Sequence, residues 1–311
     1  MLAGHIPPPH SCTVIYSASL FSTRPTMSTI IIGLSLGMLL FLLASGLTLI
    51  FGMLGVINFA HGALYMLGAY LCFDLSHRSG SFAVGVIVAT LVVGLVGIAM
   101  ERLTLRPLYA RPHFYQLILT FGFILVITEA VKFFWGLGYK EVPIPQLLSG
   151  TIELFNSTIP VYRLFIIGFG AVVSIGLFLG LERSTFGMLV RAASSDGEMV
   201  QILGLPASTI RTAVFGLGAA LAGLAGAIAT PLFPIDLGMA TTTIIDCFIV
   251  VILGGLGNIR GVIAAALLIG MVRAFGYTFM PSWVDIMTFA MLILTLLTRP
   301  QGLFSRPVRS A

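Results

Sequence analysis

The chain has 311 residues, 58% of them hydrophobic and 9% charged, with a mean hydropathy of +1.08. Soluble domains carry about 25% charged residues, so composition excludes a soluble enzyme, a disordered chain and a nucleic-acid-binding domain, and leaves a polytopic membrane protein. The net charge of +5 comes from 16 Lys and Arg against 11 Asp and Glu, spread in small groups between apolar runs, and the three cysteines (Cys12, Cys72, Cys247) fit neither a metal site nor a disulfide framework.

Residues 1–26 stand apart. They carry the run Pro7-Pro8-Pro9, and their first cation is Arg24. A signal peptide needs a basic start followed by an apolar stretch, so this segment reads as a disordered tail or as a start assigned upstream of the true one at Met27. Residues 27–311 then form a single transmembrane domain. From residue 25 to residue 73 no side chain is charged, and His61 is the only group with an ordinary pKa near neutral pH. One span takes about 20 residues, so this run suits two, predicted near 28–51 and 57–73 with the break at Gly52-Met53-Leu54-Gly55. The second is short and polar at its start, with Asn58 and His61, which suits a re-entrant or broken segment. Further spans are predicted at 82–101, 114–136, 161–181, 212–231, 241–256, 261–278 and 283–298. The fold class is all-α, a polytopic helix bundle of eight or nine membrane segments.

Orientation follows from the cations of the short loops. Arg102, Arg106, Arg111, Arg183, Arg191, Arg211, Arg260, Arg299, Arg306 and Arg309 fall on one set of connections. That side, with the C-terminus, is expected to be cytoplasmic. The other set has Arg78, Lys140 and Arg163, and its loop 137–160 is expected outside. Small residues recur at four-residue spacing: Gly33 with Gly37, and Gly218, Ala222 and Gly226 with Ala219 and Gly223 beside them. Such faces let helix backbones approach closely; the rival reading is a pore-lining face.

The chain holds no phosphate-binding G-x-x-x-x-G-K-[ST] loop, no H-E-x-x-H, no C-x-x-C and no G-x-S-x-G. Catalytic and metal residues are therefore expected to be absent, and uphill transport would draw energy from a partner or an ion gradient. The connection 182–211 is the most informative stretch. Ser195-Asp196-Gly197-Glu198 reads as a capping box. Met199, Ile202 and Leu203 follow at helical spacing, and Gly204 and Pro206 stop the helix. A helix near 195–203 is too short to stand alone. It rests on lipid or on its own protein, or it docks on a cytoplasmic motor.

Glu198-Met199-Val200-x-x-x-Gly204 resembles the E-A-A-x-x-x-G coupling motif of ABC importer permeases, with both alanines replaced. The stretch GLTLIFGMLGVINFAHGALYMLGAY over 46–70 resembles the signature of the branched-chain amino acid permease family, the LivH-like subunit. Glu101-Arg102-Leu103-x-x-Arg106-Pro107-Leu108, the glycine-rich stretch from Leu253 to Gly261 and Arg299-Pro300-Gln301-Gly302-Leu303-Phe304 look like further signatures of that family. The similarity runs from about 28 to 306 in the family's order. It departs at Ala63, where members often carry an acid, and in the first 26 residues.

The resemblance implies a permease subunit of an ATP-driven importer for branched-chain or related amino acids, working by alternating access in the cytoplasmic membrane. Its partners would be a second homologous permease, two cytoplasmic ATPases that bind ATP and Mg, and an external binding protein, with no nucleic acid. Ser195, Asp196, Glu198, Met199, Ile202, Leu203 and Gly204 would couple to an ATPase. The rivals are a stand-alone carrier or channel for a small polar solute, and a membrane-embedded enzyme. Among intramembrane polar residues, Asn58 and His61 read either as a helix cap and a packing histidine or as a gate. Asp246 and Arg273 read as internally partnered groups or as path lining, and Glu129 and Lys132 as a surface pair or a substrate clamp. Leu253 to Gly257 reads as a tight turn rather than a phosphate loop.

Overall fold

The computed structural model describes residues 27–154, 157–299 and 301–303; the tail 1–26 lies outside them. The helices are α1 (Met27–Leu54), α2 (His61–Ser79), α3 (Phe82–Met100), α4 (His113–Trp135), α5 (Val161–Phe178), α6 (Thr185–Ser195), α7 (Gly197–Ile202), α8 (Ala207–Ala229), α9 (Met239–Gly254), α10 (Ile259–Phe279) and α11 (Val284–Thr298). Among the described residues, seven helices are long and apolar enough to cross a membrane: α1, α3, α4, α5, α8, α10 and α11 with their flanking turns. The apolar α9 is shorter, with 16 residues, and α2 has 19. All nine segments marked out by the sequence are helical.

The architecture differs from an all-helical bundle in one place. Strands β1 (Thr151–Leu154) and β2 (Ser157–Pro160) pair antiparallel in the loop between α4 and α5, Thr151 opposite Pro160 and Leu154 opposite Ser157. Isolated two-stranded hairpins are marginal, and four-residue strands without strong alternation leave no pattern to read. Lys140 in the same loop exchanges backbone hydrogen bonds with Ile235, at 3.0 and 2.9 Å, so loop 136–160 and the α8–α9 connection share one end of the bundle. The arginine-bearing turns share the other.

Helices α1 and α8 form the centre: 67% and 78% of their apolar windows are buried, against 17% for α4, α5 and α11. The peripheral helices turn Leu91, Leu95, Phe121, Val126, Val172 and Leu297 outward, as a lipid-facing surface requires. The small-residue stripes lie where backbones meet. A Cβ on Gly37 would come within 2.9 Å of Leu267 Cα on α10, and one on Gly33 within 3.1 Å of Met271 Cα. Gly218 faces α1 at Gly46 and Ile50, Gly223 faces Val93 of α3, and Gly226 faces the Tyr65 carbonyl of α2. Ala222 is wholly buried. Neighbouring helices fill these faces, so no pore runs along them.

Helix α1 continues past Gly52 to Leu54, where Gly55 turns out with φ +64°. The break therefore falls on Gly55, the last residue of the expected Gly52–Gly55 stretch. Helix α2 begins at His61, not at 57. Its first side chain meets the Leu43 carbonyl of α1 at 2.9 Å. The Leu43–Leu54 stretch is roughly 16 Å long at 1.5 Å per residue. Residues 55–60 therefore climb back up α1, and α2 starts inside the bundle, as a broken segment.

Candidate functional site

The connection 182–211 holds two helices. Ser184 caps α6, accepting from the Gly187 amide at 3.1 Å. No sequence expectation covered this helix, although a serine ahead of an amphipathic run was there to be read. Ser195 belongs to the end of α6 and donates back to the Arg191 carbonyl. It does not cap α7. That role falls to Asp196, whose carboxylate accepts from the Met199 amide at 2.9 Å. The carboxylate one residue nearer takes the cap, and α7 has six residues, Gly197–Ile202, rather than about eight. Gly204 ends it with φ +79°, and the Leu205 amide reaches back to the Val200 carbonyl at 3.1 Å, as in a left-handed helix stop.

The short helix divides its apolar residues. Val200 points inward with 4% exposed, whereas Met199, Ile202 and Leu203 are 50%, 77% and 69% exposed. Underneath, Gly197 lies against the Arg211 guanidinium, with 2.7 Å between its virtual Cβ and Nη2. Arg211 covers the Tyr109 ring at 5.6 Å. The Tyr109 hydroxyl donates to Glu101 at 3.1 Å, and Thr212 donates to the same carboxylate at 2.6 Å. Burial and the Glu101 carboxylate push the Tyr109 phenol above its ordinary value, so it stays a donor. Glu101 is wholly buried and opens a π-helical turn, Glu101–Leu105, that carries α3 into the basic end. The knot joins α3, α8 and α7. Glu101→Ala removes an acceptor from the buried Thr212 and the half-buried Tyr109 hydroxyls, a loss of about 1–3 kcal/mol. Its melting temperature in detergent is expected to fall, and to fall less in Glu101→Gln.

Inside the bundle, Asn58 and His61 are both wholly buried. Neither amide atom of Asn58 has a hydrogen-bond partner, nor has His61 Nδ1. The N-cap of α2 is Ala60, without a side-chain bond, so Asn58 is not a cap: two residues separate it from the helix start. Two clefts run along α1 on either side of this level. One of about 330 Å³ reaches Leu43 from the end opposite the arginines. The other, about 790 Å³, begins at Thr48 and opens among Glu182, Arg191 and Arg260. Between them Ala44, Ser45, Gly46 and Leu47 are closed off. The Gly46 backbone meets Gly218, with the His61 ring beside it.

Asp246 and Arg273 partner each other. The guanidinium donates to both carboxylate oxygens, at 2.6 Å from Nη1 to Oδ2, and the two side chains are 20% and 17% exposed. The pair borders the smaller cleft. Lys132 and Glu129 pair at 3.2 Å on the exposed face of α4, away from both clefts. The Leu253–Gly257 stretch is a turn with Gly255 and Gly257 at positive φ, and Asn258 caps α10 by accepting from the Gly261 amide at 3.2 Å. Leu303 donates to the Leu253 carbonyl at 2.9 Å, tying the end of the described chain to the same turn.

A family model described as "Branched-chain amino acid transport system / permease component" matches residues 29–296. The chain belongs to that family. The permease is 33% identical over 293 residues to the high-affinity branched-chain amino acid transport system permease protein BraD of Pseudomonas aeruginosa, a match covering 88% of this chain and 94% of the relative. It is 28% identical over the same length and coverage to LivH of Escherichia coli. To the high-affinity branched-chain amino acid transport permease LivM of the same organism it is 26% identical, over 86% of this chain and 68% of that one. No solved structure matches. The permease is a multi-pass membrane protein of a transport family.

Proposed function

We propose that this permease carries branched-chain or related amino acids across the cytoplasmic membrane as one subunit of an ATP-driven ABC importer. One observation carries the motor part of this reading. A six-residue helix, capped at both ends, presents Met199, Ile202 and Leu203 to the exterior beside the arginine-bearing turns. A helix that short is not stable by itself, and an exposed apolar patch marks a contact surface. The occupant is a cytoplasmic ATPase, one of two, holding ATP and Mg. A second homologous permease and an external binding protein complete the assembly. The excess of arginines supports a cytoplasmic basic end, with the C-terminus on the same side.

Alternating access is supported by the two clefts separated by one closed layer at Ala44–Leu47, His61 and Gly218. A substrate would pass when α1, α2 and α8 part there, driven by a motor that binds two conformations unequally. Asn58 and His61 are the gate residues of this proposal. A buried amide without partners lowers stability, so Asn58→Leu is expected to raise the melting temperature while reducing uptake at least tenfold. Unchanged uptake in that variant contradicts the gate.

The test of the whole is co-purification of the tagged chain from mild detergent, with uptake of radiolabelled leucine by intact cells. Two ATPases and a second permease are expected. A chain that purifies alone or as a homo-oligomer removes the motor and puts a stand-alone carrier or channel first.

A further inference from the structure

The cleft of about 330 Å³ that ends at Leu43 has a sorted lining. Leu36, Leu39, Leu40 and Leu43 recur at the spacing of one helix face and give α1 an apolar wall. Opposite, Met239, Thr242, Thr243 and Asp246 repeat the same spacing on α9. Arg273 reaches in from α10 and Tyr65 from α2. Phe233, Pro234 and Asp236 of the α8–α9 connection frame the mouth, at the end where Lys140 pairs with Ile235. The ion pair therefore sits at the inner part of the cleft. Asp246 is about 12 Å from the Gly254 end of α9 at 1.5 Å per residue.

A charge pair is a costly way to join two helices inside a membrane. Apolar contacts of similar volume hold as well or better, and ionisable groups at this depth belong to pathways more often than to packing. The Arg273 Nε also lacks a partner, so the guanidinium has a donor free beyond the two that Asp246 takes. We infer that the cleft is a way-station for a zwitterionic amino acid with an apolar side chain. The substrate carboxylate bonds to Arg273, its ammonium to Asp246, and its side chain lies on the leucines of α1. The internal salt bridge holds the two charges paired when the cleft is empty and exchanges partners when the zwitterion enters. The inference rests on the transport reading above and adds the site and the chemistry of its selectivity.

The test places a thiol in the cleft of the full chain, expressed with its transport partners in spheroplasts. Thr243→Cys, in a Cys12→Ser background, is labelled with a cationic methanethiosulfonate from outside; Cys72 and Cys247 are buried. Millimolar leucine is expected to slow labelling at least fivefold. Leucine stripped of its ammonium (4-methylpentanoate) or of its carboxylate (3-methylbutylamine) is expected to have little effect. In Asp246→Asn the repulsion of a lone carboxylate is gone, so 4-methylpentanoate is expected to protect as well as leucine. A purely structural bridge would not move that selectivity. The analogue series with the pair intact gives its answer even where the variant fails to fold. Leucine uptake by these cells with labelling indifferent to leucine overturns the site and leaves the transport reading standing. Absence of both uptake and protection overturns the two together. Equal protection by all three compounds overturns the zwitterion assignment.

Discussion

Ile202→Asp is expected to leave the permease folded in the membrane and to abolish transport. Ile202 is 77% exposed on α7, and Met199 and Leu203 flank it with 50% and 69% exposed. None of the three is held in the bundle's core, so a carboxylate there meets water in the isolated subunit and costs the fold little. At the proposed ATPase contact the same carboxylate would be buried without a partner. The few hot-spot residues near the centre of an interface cost about 2 kcal/mol or more when altered, which is about thirtyfold in association. ATPase co-purification and leucine uptake are expected to fall by at least that factor while the yield of membrane-inserted protein stays within twofold.

Two neighbouring changes separate docking from folding. Val200→Asp puts the charge on the buried side of the same helix, at 4% exposure. It is expected to destabilise the connection itself and to lower yield. Gly204→Val keeps the surface but forces a β-branched residue into φ +79°, at a cost of about 1–2 kcal/mol, and misdirects the helix end. Loss of coupling is expected there too, and substitution of Glu198 belongs to the same series. Normal uptake in Ile202→Asp and Gly204→Val would reduce α7 to an interfacial element.

The membrane segments were legible because burial in lipid demands long uncharged runs, and Arg clusters punctuate them. The helix near 195–203 was legible through its glycine stop, and its start was misread by one residue because serine and aspartate are both good caps. What escaped the sequence is tertiary. Nothing in the spacing of Asp246 and Arg273, 27 residues apart, says that α9 and α10 bring them together. Glu101 stood inside a family signature, but its burial beneath Tyr109 and Thr212 depends on where α8 lands. Asn58 looked like a cap because it precedes a helix; the helix starts two residues later than that role needs.

Gly226→Leu is expected to remove the folded permease altogether. A Cβ at Gly226 collides with the Tyr65 carbonyl and approaches the Ala69 amide nitrogen at 3.2 Å. Both are backbone atoms of α2, which cannot swing aside as a side chain can. Overpacking by flexible groups costs about 1–3 kcal/mol and more where backbone must move, against a total stability of about 5–15 kcal/mol. Two other glycines calibrate the effect. At Gly122 nothing lies within 4 Å of a built Cβ, so Gly122→Leu is expected to give wild-type yield. At Gly223 the neighbour is the Val93 side chain, at 2.7 Å. Gly223→Ala is therefore expected to lose yield and to regain part of it in combination with Val93→Gly, which removes the Cβ that alanine would keep, a coupling between contacting residues of about 0.5–3 kcal/mol. No side-chain truncation can rescue Gly226→Leu, since the obstacle is main chain. Size-exclusion profiles of the fluorescently tagged protein in detergent read all of these. A monodisperse, full-yield Gly226→Leu would mean that α2 and α8 do not meet as closely as this packing requires.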